Sequence, residues 1–274
     1  MIRNSFSILP ITLIVNLLLF VACGDDDGYY LRPDLPASSA DNVKSIKHLG
    51  GVVSTYDWEF IYSDGFLIGA TGIVRDSSST IDKTFSYTSW LDFGKNSVSI
   101  STTSDEKISV CLNAHGLIEK MSVNRNIYEF YYDNNRLVKW NKTIFEESFG
   151  QATKYSSSAE LEYDGEDIRK IVMREADNIP VVYTFIMSDY PNLNGLLPVG
   201  LSKEFGCLGF EHLYYAGLMG QPSAHLIKSV EVTYINDSSK NYITEYDYNI
   251  KNGNTVLCNY KTPNGEIASV SYTY

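Results

Sequence analysis

The chain has 274 residues and a formal net charge of −11, with 33 acidic against 22 basic residues. That balance argues against a nucleic-acid partner and against charge-driven binding to anionic lipid. The length suits one large β domain or two small ones, and four cysteines are too few and too scattered for a disulfide framework or a zinc site.

Residues 1–22 read as a secretory leader. Arg3 supplies a positive charge, an apolar run extends from Ile11 to Ala22, and Phe20-Val21-Ala22-Cys23 puts a small residue before a cysteine. The apolar stretch is roughly 15 residues, short of the ~20 that a transmembrane helix needs, and the segment carries Pro10 and Asn16. The layout is that of a bacterial lipoprotein signal, with Phe20 where the motif prefers Leu. Cleavage then makes Cys23 the lipidated residue, and several acyl chains on one cysteine give firm anchoring. Asp25, Asp26 and Asp27 follow. They resemble the signal that exports Bacteroidetes lipoproteins to the outer face of the outer membrane. Residues 23–42, with Pro33, Pro36, Ser38 and Ser39, read as a lipidated cysteine on a flexible acidic tether. The address implied is the outer membrane, lipid-anchored and facing the exterior.

Residues 43–274 read as a single antiparallel β domain. In Tyr56-Asp57-Trp58-Glu59-Phe60-Ile61-Tyr62 the even positions are all aromatic, and Asp57 and Glu59 alternate with them. Period two predicts a strand with one buried and one wet face. The pattern returns at Tyr128/Phe130/Tyr132, Val230/Val232/Tyr234 and Tyr246/Tyr248. In Val181/Tyr183/Phe185/Met187 the alternate face also holds Val182 and Ile186, which predicts burial on both sides. Asp64-Gly65, Asp164-Gly165, Asn252-Gly253 and Asn264-Gly265 supply tight hairpin turns. Counting runs between turns gives a long antiparallel meander of about fifteen strands, most of roughly seven to nine residues.

The alternation stops between Tyr190 and His225. Phe210, Leu213, Tyr214, Gly217 and Leu218 follow helical spacing, and Gly220 before Pro222 is a helix stop. A short helix near 209–219, inside a long crossover, is expected to plug an open end of the sheet.

The hairpins also repeat an aromatic strand end, an Asp/Asn/Gly turn and an aliphatic strand start, as in Tyr131-Tyr132-Asp133-Asn134-Asn135-Arg136-Leu137 and Glu162-Tyr163-Asp164-Gly165-Glu166-Asp167-Ile168. They resemble YD repeats of the Rhs type. With the Cys23 signal and the segment from Tyr215 to Ser223, the chain is similar to a family of Bacteroides lipoproteins of unknown function with a porin-like fold. The resemblance implies a strongly curved or closed antiparallel sheet and no catalytic residue.

Motifs for chemistry are sparse. There is no Gly-x-Ser-x-Gly elbow, His-Glu-x-x-His pair or phosphate loop. The four histidines, His48, His115, His212 and His225, read as structural or solvated. Asp25 to Gly28 lacks the spacing of a calcium loop, and no cofactor or metal is implied. Cys111, Cys207 and Cys258 leave room for one disulfide, with buried free thiols expected. Trp90 falls on the register opposite Phe85 and Tyr87, which marks it as the candidate for stacking on a sugar. The resulting expectation is a non-enzymatic binding or accessory module at the cell surface, with a glycan or protein partner. The alternatives are an envelope hydrolase and a barrel inserted in the membrane.

Overall fold

The computed structural model describes residues 42–50, 54–76, 83–94, 96–103, 107–148 and 151–274. The leader, Cys23, Asp25 to Asp27 and the tether before residue 42 lie outside the described residues.

Sixteen strands follow one another in the chain. They are β1 (Ser45–Gly50), β2 (Ser54–Ser63), β3 (Phe66–Asp76), β4 (Lys83–Phe93), β5 (Ser97–Thr102), β6 (Ile108–Leu112), β7 (Ile118–Val123) and β8 (Asn126–Asp133). The second half continues with β9 (Arg136–Ser148), β10 (Gln151–Asp164), β11 (Asp167–Arg174), β12 (Pro180–Pro191), β13 (His225–Tyr234), β14 (Tyr242–Lys251), β15 (Asn254–Lys261) and β16 (Ile267–Thr273). Each strand pairs antiparallel with its neighbours in sequence, and β1 pairs with β16, so the meander closes into a barrel. The closing register is Ser45 to Thr273, Ile46 to Tyr272 and Lys47 to Ser271. The strands range from 5 residues in β6 to 14 in β10, a wider spread than the alternation predicts.

Residues directly opposite one another on paired strands share a face, so the register assigns the two walls. Ile46 faces Trp58 on one side and Tyr272 on the other. Tyr183 faces Ile171 and Val232, Ile171 faces Leu161, and Cys258 faces Val270. All of these are buried. The other wall pairs Lys139 with Glu160, Glu162 with Lys170, and Asp247 with Asn259. Lys170 Nζ reaches Glu162 Oε1 at 2.8 Å. Most apolar side chains therefore point into the lumen and most charged ones line the exterior, with Lys142 inside and Ile186 and Ile243 outside among the exceptions.

Tight turns close the hairpins where the sequence places them. Asp64 and Gly65, Asn134 and Asn135, and Asn252 and Gly253 all have positive φ, the backbone that a twisted two-residue hairpin requires.

Two faces depart from the expected alternation. Ile186 is 57% exposed, so β12 is buried on one side only. Asp57 is 7% exposed rather than wet. The register of β1 against β2 shifts between Ile46 and Leu49, where His48 has φ 66. At that bulge the His48 backbone N–H donates to Asp57 Oδ1 at 2.8 Å, which holds the carboxylate against the wall.

Residues 192–224 fill the lumen. They join β12 to β13, which are hydrogen-bonded neighbours, so the segment is an elongated hairpin connection and not a crossover. Leu197, Cys207, Leu213 and Leu218 within it are buried. The helix α1 (Glu211–Tyr215) is shorter than the predicted 209–219. It ends at Gly217, φ 74, where Leu218 N–H bonds the Leu213 carbonyl at 3.1 Å and Gly217 N–H bonds that of Tyr214 at 2.9 Å. This double bond pattern is a glycine C-cap that precedes Gly220. The returning segment is tied to the rim: Ile118 N–H donates to Leu218 O at 2.9 Å and Gln221 N–H to Asn135 O at 2.8 Å.

Candidate functional site

The plug carries polar groups into an apolar lumen. Glu204 is buried, and its Oε1 accepts from the Tyr183 hydroxyl at 2.8 Å. The Trp140 indole N–H donates to the Glu204 carbonyl at 2.7 Å. Burial raises the Glu204 carboxyl above its ordinary range, and the Tyr183 hydrogen bond only partly offsets it. Glu211 and His212 are both fully buried on α1. Burial pushes the Glu211 carboxyl up to about 7 and the His212 imidazole down to about 3. His212 is therefore neutral at neutral pH, while Glu211 is protonated below about pH 7 and only about half so at that pH. His212 packs on the Trp58 ring, with centroids 4.9 Å apart. Cys207 and Cys258 are free and buried, as expected, whereas Cys111 on β6 is half-buried and engaged with a partner. The plug polar groups are sealed from solvent, so their chemistry is that of a packed core.

The accessible concavity at the plug's tied rim is different. It measures about 460 Å³ and lies between the β6–β7 and β8–β9 turns, lined by Asn113, His115, Glu119, Tyr131, Asn134 and Asn135. Asn113 spends its Oδ1 on the His115 and Leu117 N–H groups, at 2.9 and 3.0 Å, which fixes the turn and leaves its amide donors outward. Tyr131 is half exposed on the outer register of β8. Phe130 and Tyr132 line it beside Tyr131; amide donors and acceptors, one carboxylate and aromatic side chains are the groups that hold a neutral, hydroxyl-rich ligand. Sequence reasoning placed both His115 and Asn134–Asn135 in turns but did not join them, although alternate turns of a meander lie on the same edge of the sheet.

Trp90 is 47% exposed on the outer wall. Its register partner is Gly69, and a Cβ added at Gly69 would lie 2.8 Å from Trp90 Cε3. The indole thus lies across a strand glycine and covers its bare backbone, which gives the exposed ring a packing reason for its position. The remaining histidines are structural: His48 sits in the β1 bulge, and His225 Nδ1 pairs with Asp167 Oδ2 at 2.8 Å. Among the described residues no cluster of three or more potential metal ligands occurs.

No protein-family model matches the chain, and no curated protein matches it. Solved structures do. A porin-like protein from Bacteroides uniformis superposes with a TM-score of 0.65 at 17% identity, over 84% of this chain and 97% of that one. A porin-like protein from Bacteroides vulgatus covers 85% of this chain and 98% of its own at 11% identity, with a TM-score of 0.49. The first likeness establishes that the chain has the porin-like barrel fold.

Proposed function

We propose that this chain is an outer-membrane lipoprotein, held through acylated Cys23 and exported to the cell surface by Asp25 to Asp27. There its barrel acts as a non-enzymatic binding or accessory module. The observation that carries the reading is the polarity of the barrel. Its lumen is apolar and filled by residues 192–224, while Lys139, Glu160, Glu162 and Lys170 line the exterior. A filled lumen conducts nothing, and a charged wall suits water better than lipid, so a separate anchor is what would keep such a barrel at a membrane. The partner we favour is a glycan at the rim concavity of Asn113, Glu119, Tyr131 and Asn135. Trp90 is the alternative contact.

The test has three arms on the same cells. A palmitate analogue should label the wild-type protein and not Cys23→Ala, which should also lose its anchoring. Added protease should remove the wild-type protein from intact cells. A glycan array probed with the purified chain should give hits that Tyr131→Ala weakens. Absence of label on the wild type sinks the lipid anchor, and hits untouched by Tyr131→Ala move the ligand away from the rim.

A second reading is a barrel inserted in the membrane. The even count of antiparallel strands and the porin-like fold favour it. The charged exterior opposes it, because a spanning barrel turns an apolar band outward. Extraction by high-pH carbonate of Cys23→Ala separates the two: an inserted barrel stays with the membrane.

A further inference from the structure

The end of the lumen opposite the rim concavity is a separate cavity of about 250 Å³ beneath the tip of the plug, and apart from Trp140 it is built from residues given no role so far. Tyr128, Lys142 and Ser157 are direct partners across β8, β9 and β10, so all three face the lumen. One layer deeper, Trp140 and Met173 are buried and form the floor with them. The plug contributes Gly206 and Leu208. A Cβ at Gly206 would lie 3.0 Å from the Trp140 ring, so only glycine lets the backbone lie flat on the indole. Leu208 is 44% exposed, an aliphatic side chain held open at the mouth.

Charge is what singles the cavity out. Lys203 is paired with Glu175 at its edge. Among the described residues Lys142 has no carboxylate partner, and its ammonium lies 5.0 Å above the Tyr128 ring. A half-buried lysine on the apolar face of a strongly acidic protein is costly to desolvate, and the ring compensates it only in part. A ligand that covers Tyr128 and Leu208 would desolvate that lysine further unless it brought a negative charge.

We propose that this cavity binds a small anionic amphiphile: a compact apolar body lying on Tyr128, Trp140 and Leu208, with one carboxylate ion-paired to Lys142 and within reach of the Ser157 hydroxyl. At about 250 Å³ the space suits a compact ligand of one ring and a short side chain. The proposal is independent of the lipid anchor and of the rim concavity.

The test titrates the purified full chain, isotope-labelled at its tryptophans, with phenylpropionate, phenylpropanol and phenylpropylamine, reading the indole N–H resonances. Phenylpropionate should move the Trp140 signal and leave Trp58 and Trp90 in place. It should bind about tenfold tighter than the alcohol, a step of one decade in Kd, and the amine should not bind. Lys142→Met, which keeps the stem and removes the charge, should bring acid and alcohol to the same affinity, and Lys142→Arg should restore the difference. Leu208→Gln should weaken both. The proposal is overturned if the acid moves no Trp140 signal up to its solubility, if acid and alcohol bind the wild type equally, or if Lys142→Met leaves the preference intact.

Discussion

Trp140 on β9 donates its indole N–H to the backbone carbonyl of Glu204 at 2.7 Å, with both residues buried. One hydrogen bond thereby joins the barrel wall to the plug across 64 residues of sequence, and Gly206 then passes flat over the same ring. Gly206→Ala must strain a backbone at φ +72 and push a methyl to 3.0 Å from the indole. Gly209→Ala has the same backbone problem, at φ +82, with nothing within 4 Å. The left-handed backbone alone costs ~1–2 kcal/mol. Urea denaturation should therefore place Gly206→Ala ~1–3 kcal/mol below Gly209→Ala, the cost of overpacking. Equal values would mean that the plug does not depend on its contact with Trp140.

Glu211 gives the molecule a pH signature. Its carboxyl is raised from 4.5 to about 7 by burial, so the folded state keeps a proton that the unfolded chain has released. Its favourable contribution is complete below pH 4.5 and is lost as pH rises through about 7. His212 works in the opposite sense. Lowered from 6.5 to about 3, it contributes fully above pH 6.5 and less as pH falls through that range. The two slopes oppose each other where both windows overlap, and Glu204 and Cys207, also raised by burial, share the surroundings. Glu211→Gln removes one slope. Relative to the wild type it should gain stability from about pH 5 to 7, by up to ~1.4 kcal/mol per pH unit, and hold that gain above. A constant difference across this range would show that the Glu211 carboxyl titrates like an exposed one.

The wall of the barrel was legible in the sequence and its closure was not. Trp58 and Phe60, placed inward by alternation alone, are buried. Turn positions followed from Asp64-Gly65 and Asn252-Gly253, because the positive φ of a hairpin selects those residues. Asp57 was misplaced because the bulge at His48 inserts an N–H that captures its carboxylate, and alternation carries no mark of a bulge on the neighbouring strand. The plug was read as a crossover because a local pattern cannot tell whether the strands on either side of it are neighbours. The cavity around Lys142 needs three strands in register with the plug tip, a relation no local spacing encodes.

Gly220 fixes the plug to the rim and should report on it locally. It has φ +91, and a Cβ there would lie 2.6 Å from the Asn135 carbonyl oxygen, a backbone atom that cannot move aside cheaply. That same oxygen accepts from Gln221 N–H. Gly220→Ala should detach the strap while the wall stays paired. Hydrogen exchange should accelerate at Gln221 and Ala224, with the β14–β15 amides unchanged. Uniform acceleration through the barrel would mean that strap and wall unfold as one unit.

Trp90 separates packing from recognition. If its ring serves to cover Gly69, Trp90→Ala should cost ~1 kcal/mol of stability, the scale of a cross-strand pair, and leave any glycan signal intact. Gly69→Ala should lose a similar amount by pushing the indole off the strand. Loss of glycan binding in Trp90→Ala at unchanged stability would return the ligand site to the outer wall.

The seam between β1 and β16 is the weakest closure, with three residue pairs, and a further bond from Lys44 N–H to Thr273 O at 2.7 Å. Ser45 Oγ and Thr273 Oγ1 add a side-chain contact at 2.8 Å. Ile46 sits at its centre, fully buried between Trp58 and Tyr272. Ile46→Ala leaves a cavity in the seam and should cost ~2–5 kcal/mol. Deleting residues 267–274 should act in a different way, because it strips β15 and β1 of partners and uncovers Cys258 and Tyr260 at an unpaired edge. Such an edge pairs with other chains. The truncated protein should therefore form soluble oligomers or aggregates by light scattering, while Ile46→Ala stays monodisperse with a lower denaturation midpoint. A monodisperse truncation would show that the remaining strands close without β16, and that the seam is a convenience of the fold and not its requirement.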